Sequence, residues 1–436
     1  MLLKLKSLKI TSKIAEVSLV LWIITFSLGV TQFYGMPVKN LLLLNFFIFT
    51  LTALCQKNKI IFKNPASLTF LSIGLMASVI IGVKNNFGIS TFIHAATLIT
   101  TILVIIFSFV AYDNKILNEK KIILAINFTA FSGIFIKVSL VFFSVIGFLS
   151  VESLAANFEN IFGSSFFTAN LYGGFLGVIP RISSSGYLFF YLVVLFYICG
   201  SKNKLCIILS LILLLLFTVI TYSRIFIGLY FVVLCYGLYV LFSRNIRVVI
   251  VFIGFFCLLS FSKLKPIYLL LAERFFGDLQ SASDLVRIEQ IYYLSESFLD
   301  NILLGQGLGS YNVNIVRNEI NRWHYETEYI ALLMQLGLFG FLLIVVNFII
   351  YIIKKIAYEM NPKFVFPVVV ALLVWILTPL QSALFVGTSA SIIIISIFFL
   401  SRKITEQDSP ENRSIRCFNK LLKNSPIPSP RVLSHT

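Results

Sequence analysis

Three arginines and one histidine–glutamate pair are the side chains best suited to chemistry in this chain. Arg224 closes the short TYSR turn (221–224) between two apolar runs. A charge near membrane depth is costly unless it is paired or has a task. The plainer alternative is an arginine snorkelling to the interface at a helix turn. Arg181 follows a proline in a second polar stretch, GVIPRISSSGY. Arg287 stands three residues after Asp284, a spacing that also suits a solvated salt bridge. His324 and Glu326 lie in HYETEY (324–329), immediately before an apolar run. Such residues can act as a general base, or they can satisfy the donors of a helix N-terminus. Gly305, Gly307 and Gly309 fall in GQGLGSY, which lacks both the dinucleotide-loop spacing and the lysine of a P-loop. That segment predicts a tight turn, with Tyr311 available to contact a ligand. No DxD and no His/Cys cluster occurs in the polar stretches, so neither a metal nor a cofactor is expected.

The elements that must position these residues follow from composition. The chain is 58% hydrophobic and 12% charged, against about 25% charged in soluble domains. Its apolar runs are continuous and of membrane-spanning length, which predicts helices crossing a hydrocarbon core of about 30 Å and excludes the alternating ~10-residue segments of a β-barrel. A net charge of +17 invites a nucleic-acid reading. The lysines and arginines, however, punctuate the gaps between apolar runs instead of forming a stripe, which is topogenic charge. The six cysteines show no disulfide or metal spacing. The basic N-terminus is followed by an apolar run without an evident small-residue cleavage site, which predicts an uncleaved first helix.

Spans are expected at 15–33, 38–55, 66–83, 90–112, 122–149, 186–200, 205–221, 225–242, 248–262, 330–353, 364–380 and 387–400. The expected fold is all-α: a polytopic membrane bundle of about twelve transmembrane helices, with one long extracytoplasmic helical loop before the tenth. The expected organisation is helices one to nine over 1–262, a catalytic loop over 263–329, helices ten to twelve over 330–400, and a disordered cytoplasmic tail over 401–436. With both termini in the cytoplasm, 24 of the 35 Lys and Arg residues fall on the cytoplasmic side, as the positive-inside rule asks. The loop then faces outward and holds half of the 18 acidic residues. Within it, a helix is expected over about 282–299, capped by Ser283 or Asp284, with Leu285, Ile288, Tyr292, Phe298 and Leu299 as its apolar face.

Over roughly 180–345 this pattern resembles the O-antigen polymerase and O-antigen ligase superfamily of bacterial envelope polysaccharide assembly. The resemblance rests on Ser223-Arg224 at an outer turn, then Arg287 followed by Gly305, Gly307 and Tyr311, then a polar motif leading into the GxxG of Gly337–Gly340. In the ligases that last motif resembles His-Asn, nine residues, then GxxG. Here the corresponding pair is Glu326-Thr327, with His324 two residues early. This departure shifts the expectation from ligation onto lipid A–core toward polymerisation of repeat units. The resemblance implies a metal-independent inverting glycosyltransferase at the periplasmic face of the inner membrane, needing no cofactor. Its substrate would be an undecaprenyl-pyrophosphate-linked oligosaccharide. Arg224 and Arg287, with Arg181, would hold the pyrophosphate, since guanidinium forks bind such oxygens bidentately. Tyr311 would contact the substrate, and Glu326 or His324 would accept the hydroxyl proton. The lipid bilayer and a chain-length regulator are the expected partners; nucleic acid is not. A flippase or other transporter is the reading from another class. It would place ionisable groups near the midplane of repeated halves, whereas Lys137 alone is plainly mid-span and the halves look unlike.

Overall fold

A computed structural model describes residues 2–402, leaving out 243–277, most of 146–187, and short stretches at 28–31, 35, 58–59, 62–64, 86, 222–223, 317–320, 381–384 and 386. The helices are α1 (Leu2–Ser27), α2 (Val38–Cys55), α3 (Pro65–Lys84), α4 (Gly88–Asp113) and α5 (Glu119–Val145). They continue with α6 (Leu188–Gly200), α7 (Lys204–Thr221), α8 (Arg224–Phe242), α9 (Asp278–Leu299) and α10 (Glu328–Phe341). The last three are α11 (Asn347–Glu359), α12 (Val365–Leu377) and α13 (Thr388–Leu400). Among the described residues, seven helices are long and apolar enough to cross a membrane, counting Glu328–Glu359 as one. Leu188–Gly200, Ile225–Leu241 and Ser389–Leu400 are shorter apolar helices. Every expected span overlaps a described helix except 248–262; that span, and the ends 28–31, 146–149 and 186–187 of three others, lie outside the described residues. The chain is a polytopic helical membrane protein.

The centre of the bundle is formed by helices that are apolar on all sides, as burial on all sides requires. In α6 the run Leu188–Leu195 is fully enclosed, and in α13 so are Ile392–Ile395 and Ile397–Phe399. α6 packs against α8, α5 and α13, and α13 packs against α4. α2 and α3 turn broad apolar faces outward, through Leu44, Ile48, Leu51, Phe70, Ile73, Met76 and Ile80. Lipid tails are as apolar as those side chains, so such faces are at home in a bilayer.

One small antiparallel hairpin, unforeseen in the sequence, interrupts the all-helical plan between α5 and α6. It pairs β1 (Phe167–Leu171) with β2 (Val178–Ile182) and sets Thr168 opposite Arg181.

A second departure concerns α9. The helix begins at Asp278, so Ser283 and Asp284 lie inside it and do not cap it. Of the expected apolar face, Leu285, Ile288, Tyr292 and Leu299 are 58–65% exposed. Gln290, Leu294 and Ser297 are the residues turned inward. Apolar periodicity locates a stripe, but in a membrane protein the stripe can face lipid while the polar face meets the protein interior.

At the Asp113 end of α4, charges are locked together in the interior. Lys355 lies 2.7 Å from Asp113 and 3.1 Å from Glu359, and its side chain is 4% exposed. Arg402 reaches Glu359 at 2.6 Å and stacks on the Tyr112 ring. Glu16 on α1 binds Lys121 at 2.6 Å and accepts the Asn118 backbone N–H. These contacts tie α1, α4, α5, α11 and the end of α13 at one pole of the bundle. The polar loop associated with α9 sits at the opposite pole, against the Gly88 end of α4.

Candidate functional site

The span Glu328–Glu359 is not a continuous α-helix. Gly337 has φ 64° and ψ 178° inside α10, and the turn Leu342–Val346 is π-helical. A break in a membrane helix frees backbone groups that must find partners, and the glycine loop supplies them. Gln306 N–H donates to the Met334 carbonyl at 2.9 Å and Gly307 N–H to the Gln335 carbonyl at 2.8 Å. In return Leu338 N–H donates to Ile302 O at 2.7 Å and Phe339 N–H to Leu303 O at 3.1 Å. Leu308 N–H donates to Ser78 O on α3, and Gly309 N–H to Nδ1 of His94 on α4. A side chain at Gly305 would strike the backbone of Gly337, and one at Gly307 the backbone of Gly82. GQGLG is therefore a plug that fills the helix break. The expectation of a tight turn holds, and the reason for its glycines is close backbone approach at positive φ.

This plug fixes the HYETEY edge beside α9. Arg287 Nε donates to Glu326 Oε2 at 3.0 Å, and its NH1 donates to Asp284 Oδ1 at 3.0 Å. The local salt bridge with Asp284 is thus present, and the same guanidinium also holds Glu326. Beneath them the fully buried Gln290 Oε1 accepts from Glu326 N–H at 3.1 Å, Thr327 N–H at 3.3 Å and the Thr327 hydroxyl at 3.3 Å. This side chain anchors the start of α10 on α9.

Behind the edge lies a cavity of 220 Å³ lined by His94, Thr97, Trp323, His324, Tyr325, Glu328, Ala331, Leu332, Gln335 and Gly387. The indole of Trp323 stacks on His94 at 4.0 Å and 9°. Glu328, 8% exposed, accepts the Phe385 N–H at 2.6 Å. Gly387 N–H donates to the Thr101 hydroxyl on α4 at 2.8 Å. Thr101 is about 20 Å along α4 from Gly88 at 1.5 Å per residue, so the loop before α13 reaches well down into the bundle. α13 itself has 13 residues, about 20 Å, too short to cross about 30 Å of hydrocarbon. Irregular backbone at such depth is stable where it lines a polar cavity.

Burial pushes the His324 imidazole below its ordinary value, and the neighbouring Glu326 opposes this. His324 is consequently neutral near pH 7, with a lone pair free for a proton. Burial raises the Tyr325 phenol to about 12; it stays protonated and accepts the Asn312 N–H at 2.9 Å. Among the described residues no group of three or more His, Cys, Asp or Glu side chains comes together to hold a metal ion.

Of the residues expected at the site, the structure brings together Arg287, Glu326 and His324. Tyr311 lies in the same pole, packed on Phe87 at 6.0 Å and bonded through its hydroxyl to Arg322 at 3.2 Å. Arg224 is the first residue of α8, and Arg181 lies on β2, which packs against α5 and α7. The placement of their side chains lies outside what the structure describes. Sequence reasoning passed over His94, whose signal was a single histidine in the apolar run 90–112. It also did not foresee that Glu328 would point into a cavity while Glu326 pairs outside it.

No curated protein matches the chain. A family model described as O-antigen ligase matches residues 209–345, a stretch from within α7 to the π turn after α10. It includes Arg224, Arg287, Tyr311, His324 and Glu326, and it excludes Arg181 and His94. Over that segment the chain is similar to the O-antigen ligase family.

Proposed function

We propose that the protein is a surface-polysaccharide polymerase of the bacterial inner membrane that joins undecaprenyl-pyrophosphate-linked repeat units at the periplasmic face. The observation that carries the reading is the Arg287–Glu326 pair at 3.0 Å. A carboxylate, held by a guanidinium, occupies the position where the ligase motif resembles His-Asn. The distribution of basic residues supports the orientation: Lys57, Lys115, Lys121, Lys355 and Arg402 gather at the Asp113 pole, and the cavity opens at the other.

In the proposed reaction the acceptor hydroxyl oxygen attacks the anomeric carbon of the donor glycan, and the bond from that carbon to the pyrophosphate oxygen breaks. The pyrophosphate gains negative charge. Arg287, joined by Arg224 and Arg181 from the neighbouring elements, stabilises that charge through guanidinium hydrogen bonds. The hydroxyl proton passes to a base. Glu326 is engaged by Arg287 outside the cavity, whereas His324 is neutral and lines it. His324 is therefore the better proton acceptor in this geometry, with Glu326 holding Arg287 until substrate oxygens replace it.

Deletion of the gene, followed by a gel of surface glycans, tests the assignment. Single repeat units on lipid A–core support polymerisation. Core entirely free of glycan, with polymer accumulating on the lipid carrier, would instead identify a ligase.

A further inference from the structure

We propose that the cavity behind His324 is a subsite for the terminal sugar of the acceptor, gripped by His94 and Glu328. The proposal rests on the polymerase reading and adds the residues that hold the second substrate. His94 is 2% exposed, on a membrane helix, where a polar side chain is retained only with partners or a task. Its Nδ1 accepts the Gly309 N–H at 3.3 Å, which leaves the proton on Nε2. The Trp323 stack fixes the ring plane, and His94 lines the cavity. Among the described residues no side chain or backbone group bonds that Nε2–H. Glu328 lines the same cavity and brings an acceptor with several lone pairs, oriented in part by the Phe385 N–H.

A donor and an acceptor converging in a small enclosed space, with apolar walls from Ala331 and Leu332, match a sugar ring with adjacent hydroxyls. At about 30 Å³ per water, the 220 Å³ holds roughly seven waters, the size of one pyranose. His324 lies on the same wall, so a sugar seated there presents a hydroxyl to the base. Neither His94 nor Thr97 falls within the matched family segment 209–345, so this half of the grip comes from a separate part of the chain.

The test uses the full-length protein in lipid vesicles, a labelled lipid-linked donor, and the free repeat-unit oligosaccharide, which can accept but not donate. His94→Asn keeps an acceptor for Gly309 while its shorter carboxamide withdraws the donor from the Nε2 position; Thr97→Trp fills the space. Each should raise the KM for the free oligosaccharide about tenfold or more, the loss of one or two hydrogen bonds, while the rate at saturation changes less. An unchanged KM in both overturns the subsite. Thr97→Cys gives a readout independent of turnover. A maleimide added from outside should label it, and the free oligosaccharide should protect it; labelling without protection overturns the subsite. If the wild-type protein transfers nothing from the donor, the polymerase reading fails, while labelling and protection of Thr97→Cys still decide the cavity.

Discussion

Arg287 divides one guanidinium between Asp284 and Glu326, and a pyrophosphate would compete for the same five donors. Arg287→Ala should abolish long glycan chains while the protein still accumulates in the membrane; immunoblots beside glycan gels check both. Arg287→Lys should restore only part of the activity, because an ammonium cannot make the planar bidentate contact. For His324, the burial that lowers its pKa gives the sign of the pH dependence. The folded protein holds its proton less tightly than a free histidine does. Neutral imidazole therefore persists below pH 6.5, and the rate should fall only in more acidic solution. His324→Gln should cost about 10²–10⁴-fold in rate and erase that acid limb in a pH–rate profile. A profile unchanged by the substitution would assign the proton elsewhere.

The glycine plug and the broken α10 form one unit at the scale of elements. Gly337 is left-handed and backs onto Gly305, so Gly337→Ala combines an unfavourable φ with a backbone clash. The variant should lose several kcal/mol by those two mechanisms together, read as early protease cleavage near 302–309 and loss of polymer. Gly88→Ala, also at positive φ but with open space around it, should be far milder. Much of this layer was legible in the sequence. Continuous apolar runs fixed the helices, and charge asymmetry ordered them. What the apolar face of α9 meets was not legible, because period and hydrophobicity cannot tell a lipid-facing stripe from a core-facing one. Gln290, the residue that anchors Glu326, looks in the sequence like any surface glutamine. The cavity was invisible for a related reason. His94 is 230 positions from His324, and only the plug's seat between α3, α4 and α10 brings them together.

The whole molecule has two unlike poles. One is a closed lattice of buried charges around Lys355; the other holds a polar cavity and the Arg287–Glu326 pair. Lys355→Met should remove the buried ion pair with Asp113, a loss of about 3–5 kcal/mol for breaking a buried pair. It should appear as reduced protein in the membrane with specific activity per molecule retained. Arg287→Ala is expected to do the reverse, and the two phenotypes together separate scaffold from chemistry. The most direct trial of the central claim is reconstitution in vesicles with undecaprenyl-pyrophosphate-linked repeat units as the only glycan. The wild-type protein should convert them into a ladder of longer lipid-linked chains, and Arg287→Ala should leave them as single units. No elongation until lipid A–core is added, followed by transfer to that core alone, would contradict it.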